Sequence, residues 1–295
     1  MSDLSSLQTT CLICGNRCIE DVQNNGYQYW KCCNCHTSQL LPQPSTDALD
    51  AFYDNFHNAL QGGSYDEFEG RAQADFDCKA ALAASYMHSQ HGKLLDVACG
   101  KGFFVKICNR FKIQAKGIDV SPSAISYARN NLGVDAVCGK VEDHCNKNGF
   151  NGEFDVVTMW AGIEHVPDPL HVIKSIHACL KSGGYFLMDT GLGSVFAEKF
   201  LTGHSQWYSA PEHLFVFSRD GLRILMDKAG FEIVSINDNF ERNLIRRIAR
   251  SARHAYICIV TGLLIRPILG RNAYRSTRSQ TKWPIGRLVQ VVCKK

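Results

Sequence analysis

Lys93-Leu94-Leu95-Asp96-Val97-Ala98-Cys99-Gly100-Lys101-Gly102-Phe103-Phe104 predicts a short buried strand that breaks at a glycine pair and reopens as a helix. The apolar run 94–98 carries one charge, Asp96. Gly100 and Gly102 let the backbone turn tightly and approach a ligand with no Cβ in the way. A strand, a Gly-x-Gly turn and a helix in that order place a ligand at the carboxyl end of the strand, beside a helix N-terminus. The dinucleotide fingerprint needs a third glycine, and that position is Val105. Asp96 would also repel a pyrophosphate, so the turn suits a ligand with a cationic or amino group.

Downstream the same alternation continues. Strands are expected at 94–98, 115–119, 134–138, 154–159 and 185–189, with helices at 103–111, 122–131, near 142–148 and at 170–180. Ser121 is a natural N-cap, with Pro122 at the first helical position. This rhythm implies a doubly wound parallel α/β sheet. Asp119 ends the second strand about twenty residues after the glycines, where an acid can accept the ribose hydroxyls of an adenosine.

Asp96-x-x-Cys99-Gly100-x-Gly102 resembles motif I of the class I S-adenosylmethionine (SAM) dependent methyltransferases. Phe154-Asp155-Val156-Val157-Thr158-Met159-Trp160 resembles their motif IV, and Lys181-Ser182-Gly183-Gly184-Tyr185 their Leu-Lys-Pro-Gly-Gly turn, with Ser182 for proline. The resemblance implies a Rossmann-like sheet of seven strands, the sixth at 231–236 after a helix at 219–229 ended by Gly230, and the seventh antiparallel at 288–293. It implies SAM held by Asp96, Ala98, Cys99, Gly100, Gly102, Asp119 and Val120, with Val141 and Glu142 at the adenine and Trp160 facing the methionine part. Lys140 stands where the family usually has the adenine-binding acid. Glu164-His165 is similar to quinone-type O-methyltransferases, in which a further acid helps bind a divalent metal; here that position is Ala161. His165 therefore has two readings, a catalytic one and a loop-positioning one.

A long segment, 191–218, follows the fifth strand and holds His204, Trp207, Tyr208, Glu212 and His213. Its Pro-Glu-His-Leu-x-x-Phe-Ser run resembles small-metabolite methyltransferases, and also zinc-ribbon-bearing deoxysugar C-methyltransferases. In the latter the His after the Glu acts as base, which maps onto His213, with Glu212 to orient it; Ala210 occupies the place of a family tyrosine.

Toward the N-terminus, Cys11-x-x-Cys14 and Cys32-x-x-Cys35 form two knuckles that supply four thiolates for a structural zinc, with no open coordination position. Cys18, Cys33 and His36 are weaker candidates. The fourteen cysteines, with a polar N-terminus, suggest thiols or metal ligands in a reducing cytosol. The expected organisation is a zinc ribbon at 1–42, a helical cap at 43–90 and the catalytic domain at 91–295. Aromatics of the cap at helical spacing, Phe52 and Tyr53 among them, are read mainly as core.

The net charge of +4 hides an asymmetry: residues 241–295 hold thirteen Lys/Arg against one acid. Most of that charge falls in an insertion at 237–286, with a basic amphipathic stretch at 244–250 and an apolar run at 255–265, too short to span a bilayer. A lid over the cleft and contact of 241–287 with an anionic membrane surface are both open to it. The reading is a cytoplasmic or inner-membrane-peripheral SAM-dependent methyltransferase, acting on oxygen or carbon of a small-molecule acceptor (a sugar nucleotide, lipid-linked or quinone-like compound). An RNA methyltransferase and a SAM-fold scaffold are the alternatives; the ribbon lacks the basic-aromatic patch of an RNA binder.

Overall fold

The structure, a computed structural model, describes residues 9–59, 64–87, 92–147, 149–193, 207–238 and 287–295. His204 and nearly all of the basic insertion lie outside the described residues. Among those described, no helix is long and apolar enough to cross a membrane.

Seven strands form the main sheet: β4 (Lys93–Val97), β5 (Gln114–Asp119), β6 (Ala136–Cys138), β7 (Phe154–Trp160), β8 (Leu180–Leu192), β10 (Glu232–Asp238) and β11 (Arg287–Lys294). Their spatial order is β10-β11-β8-β7-β4-β5-β6. The pairings among β4 to β8 are parallel, and β11 runs antiparallel between β8 and β10. The chain therefore builds outward from β4 in one direction through β5 and β6, then returns to its other side through β7. Such a reversal opens a crevice at the carboxyl ends of the strands.

Period-two alternation explains how both faces of the sheet are covered. Leu94, Val156, Leu187 and Val292 face α2 (Ser64–Ser85) and α3 (Phe103–Arg110), packing on Ala80, Ala83, Phe104 and Ile107. Leu95, Val157, Phe186 and Val291 face the other way, toward α6 (Pro169–Cys179) and α7 (Arg219–Lys228), with Ile173, Ile176, Leu222 and Leu225. Between β5 and β6 runs α4 (Pro122–Leu132), capped as expected by the Ser121 side chain accepting from Ala124 N. The short helix α5 (Val141–Lys147) opens directly after β6.

The ribbon forms its own four-stranded sheet, completed by a strand from far along the chain. Strands β1 (Cys18–Asn24), β2 (Tyr27–Cys32) and β3 (Ser38–Leu40) form an antiparallel meander, and β9 (Phe215–Val216) pairs with β3 as its fourth strand. Part of the segment at 191–218, expected as one long loop, thus has two definite ends. Its first residues extend β8 through Leu192, and its last enter the ribbon sheet. The helix α1 (Thr46–Ala59) leads from the ribbon over the carboxyl edge of the main sheet.

Gly102 caps α3 in the left-handed region at φ +78°, and a Cβ there would lie 2.9 Å from Val134 Cγ2 and 3.1 Å from Ala128 Cβ. Gly102→Ala should combine left-handed strain with overpacking and lose about 2 kcal/mol of stability. Urea unfolding should show this as a lower midpoint at unchanged slope.

Candidate functional site

At the carboxyl edge lies a cavity of about 400 Å³. Its floor is the β4 turn (Val97, Ala98, Gly100), the end of β5 (Ile118, Asp119, Val120) and the start of α5 (Gly139 to Glu142). Met159, Ala161, Gly162 and His165 close one side, Glu212 another, and α1 contributes Thr46, Leu49, Asp50 and Tyr53. The Asp119 carboxylate ties the two turns together. One oxygen accepts from Gly100 N and the other from Ser121 N, both at 2.9 Å. A carboxylate offers about four lone-pair directions, so two remain for a ligand. Asp54 of α1 accepts from Ser121 Oγ (3.0 Å) and Ser123 N (3.2 Å), which anchors the cap on α4.

Six of the residues expected at the cofactor line this space: Ala98, Gly100, Asp119, Val120, Val141 and Glu142. Four do not. Cys99 packs its sulfur toward Gly117 behind the turn, and Gly102 serves the helix start. Asp96 is buried beneath the turn, accepting from Thr158 Oγ1 at 2.7 Å. Burial pushes its pKa up to about 7, against the opposing hydrogen bond from Thr158. Trp160, expected to close the methionine side, lies instead edge-on to Phe104, with Lys79 Nζ 4.9 Å from its ring centroid. The reason is strand parity: Val156, Thr158 and Trp160 share the α2–α3 face, whereas Met159 reaches the cavity. Lys79 itself is buried and pairs with Asp189 at 2.8 Å, and Asp189 also accepts from Ala161 N.

Three titratable side chains meet beside the cavity. Glu164, His165 and His213 each bring one ligand atom within 4.8 Å of the others. A carbonyl only accepts, so His213 Nδ1 donates to Trp207 O (2.9 Å) and His165 Nδ1 to Glu212 O (2.8 Å). Nε2 is then the basic nitrogen of both rings. Burial holds both imidazoles below the ordinary histidine pKa, and for His213 the neighbouring His165 adds to it. Burial raises Glu164 to about 7; its Oε2 accepts from Thr190 at 2.8 Å, and its Oε1 is buried without a partner. Glu212 was expected to orient His213, and the structure corrects this. The Glu212 carboxylate accepts from Ser209 Oγ, and it is the Glu212 carbonyl that holds His165. His165 lines the cavity, whereas His213 stands behind it, 4.8 Å away between ring centroids. Tyr53, read from sequence as core, donates to Glu212 O (2.9 Å) and touches His165 Nδ1 (3.0 Å). Its spacing from Leu49 and Asp50, one turn of helix, was the signal that it shares their face.

The methyltransferase domain profile matches residues 70–236, more than half of the chain. The chain belongs to the methyltransferase domain family. Its sheet is that of a class I SAM-dependent methyltransferase. Similar curated proteins include the ubiquinone biosynthesis O-methyltransferases of Vibrio parahaemolyticus (34% identical over 103 residues, 33% of this chain and 43% of the relative) and Thiobacillus denitrificans (36% over 119 residues, 39% and 47%). The matches span less than half the length of these relatives. Among solved structures, a SAM-dependent methyltransferase from Archaeoglobus fulgidus superposes with TM-score 0.52 at 15% identity, covering 83% of this chain and all of that one. The cyclase SpnF superposes with TM-score 0.51 at 20% identity, over 74% and 81%. At those identities the likeness is one of fold.

Outside this methyltransferase core, the ribbon gathers Cys11, Cys14, Cys32 and Cys35, with Sγ–Sγ distances of 3.6 Å for Cys11–Cys35 and 3.3 Å for Cys14–Cys32. Backbone N–H groups of Asn34 and Cys35 point at Cys32 Sγ, each at 3.4 Å, and would stabilise a thiolate. The hydrogen bond with Cys35 draws the Cys11 thiol down to about 5, whereas burial keeps Cys18 protonated, up to about 12. Among the described residues these four sulfurs make up the cluster, and four thiolates fit a closed tetrahedral zinc.

Asp96 gives a stability test of this arrangement. Its folded pKa lies above the unfolded one, so its favourable contribution is complete below about pH 4 and is lost as pH rises toward 7. Asp96→Asn should therefore gain on the wild type between those limits and hold a constant offset above them. Denaturation curves at pH 4.5, 6 and 7.5 measure it.

Proposed function

We propose that the protein transfers the methyl group of SAM to a hydroxyl oxygen of a small, quinone-like or phenolic acceptor. The observation that carries this is the pair of neutral imidazoles, His165 on the cavity wall and His213 directly behind it, both with Nδ1–H held by backbone carbonyls. The names of the similar ubiquinone biosynthesis O-methyltransferases support oxygen over carbon as the target.

Gly100, Asp119, Val120, Val141 and Glu142 would hold the adenosine half of the cofactor. When bound, SAM supplies an electrophilic methyl on a sulfonium. In-line displacement of this kind needs positioning of the acceptor and removal of its proton. A phenol titrates near pH 10, so a neutral imidazole is a suitable partner for its proton. His165, on the cavity wall, faces the acceptor side, and His213 packs edge-on against it; together they form the base. Glu164, which burial raises to about 7, can ionise when an imidazolium forms beside it and so balance that charge. The apolar walls (Leu49, Val97, Met159, Val166) exclude the water that would compete for the methyl.

The clustering of Glu164 with the two histidines favours a second reading, in which a divalent cation seated there lowers the hydroxyl pKa by coordination. Activity that survives exhaustive chelation would dismiss it. The ribbon zinc, closed by four thiolates, would be structural.

His213→Ala and His165→Gln should each lower methyl transfer by roughly 10²- to 10⁴-fold while leaving SAM affinity within about twofold. Asp119→Ala should do the reverse and weaken SAM binding first. Label transfer from radioactive SAM into a panel of catechols and polyprenyl phenols, with calorimetry for SAM, measures both. A fully active His165→Gln, His213→Ala double variant would remove the base assignment.

A further inference from the structure

We propose that the metal-bound ribbon is the positioning element for His213, so that the acceptor half of the site depends on the tetrathiolate centre and the cofactor half does not. This rests on the base assignment above only for its catalytic consequence; the structural dependence stands by itself.

Residues 207–218 carry His213 and are fastened along their length to the ribbon. At the near end, Tyr208 OH donates to Asp21 (2.9 Å), and Asn25 Nδ2 donates to Ala210 O (2.9 Å). At the centre, Tyr29 OH donates to the carbonyl of His213 itself at 2.6 Å. Tyr29 is fully buried on β2, edge-on to Tyr208, with centroids 5.1 Å apart. One residue on, Leu214 O accepts from Leu40 N and Leu214 N donates to Glu164 O, both at 2.8 Å. That single residue thus links the ribbon to the backbone of Glu164, whose side chain lies beside His213. At the far end, Ser218 Oγ donates to the carbonyl of Cys35, and Ser218 N donates to Thr37 Oγ1 at 3.3 Å. Cys32 N in turn donates to Thr37 O at 3.0 Å.

The anchors therefore include the ligand loop itself. A ribbon of some forty residues has too little core to fold without its metal, and here four of its buried or half-buried side chains are the thiols. Losing the metal would free Tyr29, Asn25 and the β3 edge together. Among the described residues the cofactor half is held within the main domain: the Asp119 carboxylate accepts from Gly100 N and Ser121 N.

The test uses the full chain in three forms: zinc-loaded, zinc-stripped by chelation, and Tyr29→Phe with zinc retained. Hydrogen–deuterium exchange reports on 207–217, calorimetry on SAM affinity, and ¹⁵N-histidine ring shifts on His213, assigned with a His213→Asn variant. Stripping should abolish protection across 207–217 and shift the His213 signal, with SAM affinity within about twofold, and zinc should restore both. Tyr29→Phe should raise exchange at 213–214 by roughly fivefold to tenfold, the effect of one buried hydrogen bond, with metal content unchanged. Unchanged protection after stripping would overturn the proposal. So would loss of SAM binding in step with protection, since the ribbon would then be a general stabiliser. None of these readouts needs the acceptor, so failure of the proposed reaction and failure of this coupling are distinguishable.

Discussion

Four carboxylates sit at the carboxyl edge of the main sheet, and all are nearly withdrawn from water: Asp96, Asp119, Glu164 and Asp189. Burying like charges together is costly, and the local structure is arranged around that cost. Asp119 is held by two backbone N–H groups, Asp189 by Lys79 and Ala161 N, Asp96 by the Thr158 hydroxyl, Glu164 by Thr190. Asp96 and Glu164, each held by a single hydroxyl, are driven toward neutrality by burial. Of the four, Asp119 is the one that lines the cavity. A cationic cofactor suits such a place, and a dinucleotide does not.

Two kinds of construction meet at the cavity. The cofactor half is local: a strand end, a turn and a helix start, with Asp119 joining one unit to the next. The histidine half is assembled from distant parts, with His165 after β7, His213 before β9, Tyr53 from α1 and the ribbon behind them. Leu214 is where these parts are spliced, through its two backbone hydrogen bonds. The proposed chemistry follows this division, because a common cofactor can be held by local turns whereas a particular acceptor needs walls from several elements.

That difference also explains what could be read from the amino acids alone. The alternation from Lys93 onward and the Ser121-Pro122 helix start are local signals, and the strands and helices lie within a few residues of where pattern placed them. The two Cys-x-x-Cys knuckles are equally local, and four sulfurs do come together. Trp160 was misplaced because a strand end can face either side, and only the parity of Val156 and Met159 within the folded sheet decides it. The spacing of Tyr53 gave its helix face, but its partners and the pairing of β9 with β3 were not visible, since nothing near Tyr53 or Phe215 names a partner more than a hundred residues away. The role of Glu212 was inverted for a related reason: its backbone, which carries no sequence signature, does the orienting.

Thr37 and Ser218 are in contact although they are 181 positions apart. During synthesis the cysteine knuckles leave the ribosome long before β9, so their sheet has an unfilled edge until the five parallel strands of the main sheet have been made. Until then β3 presents bare N–H and C=O groups, a template for pairing with another chain. Expression of truncated forms ending before β9 should accordingly favour aggregation over partial function. Closure of the ribbon thus waits for β9, which follows the five parallel strands of the main sheet and precedes β10 and β11.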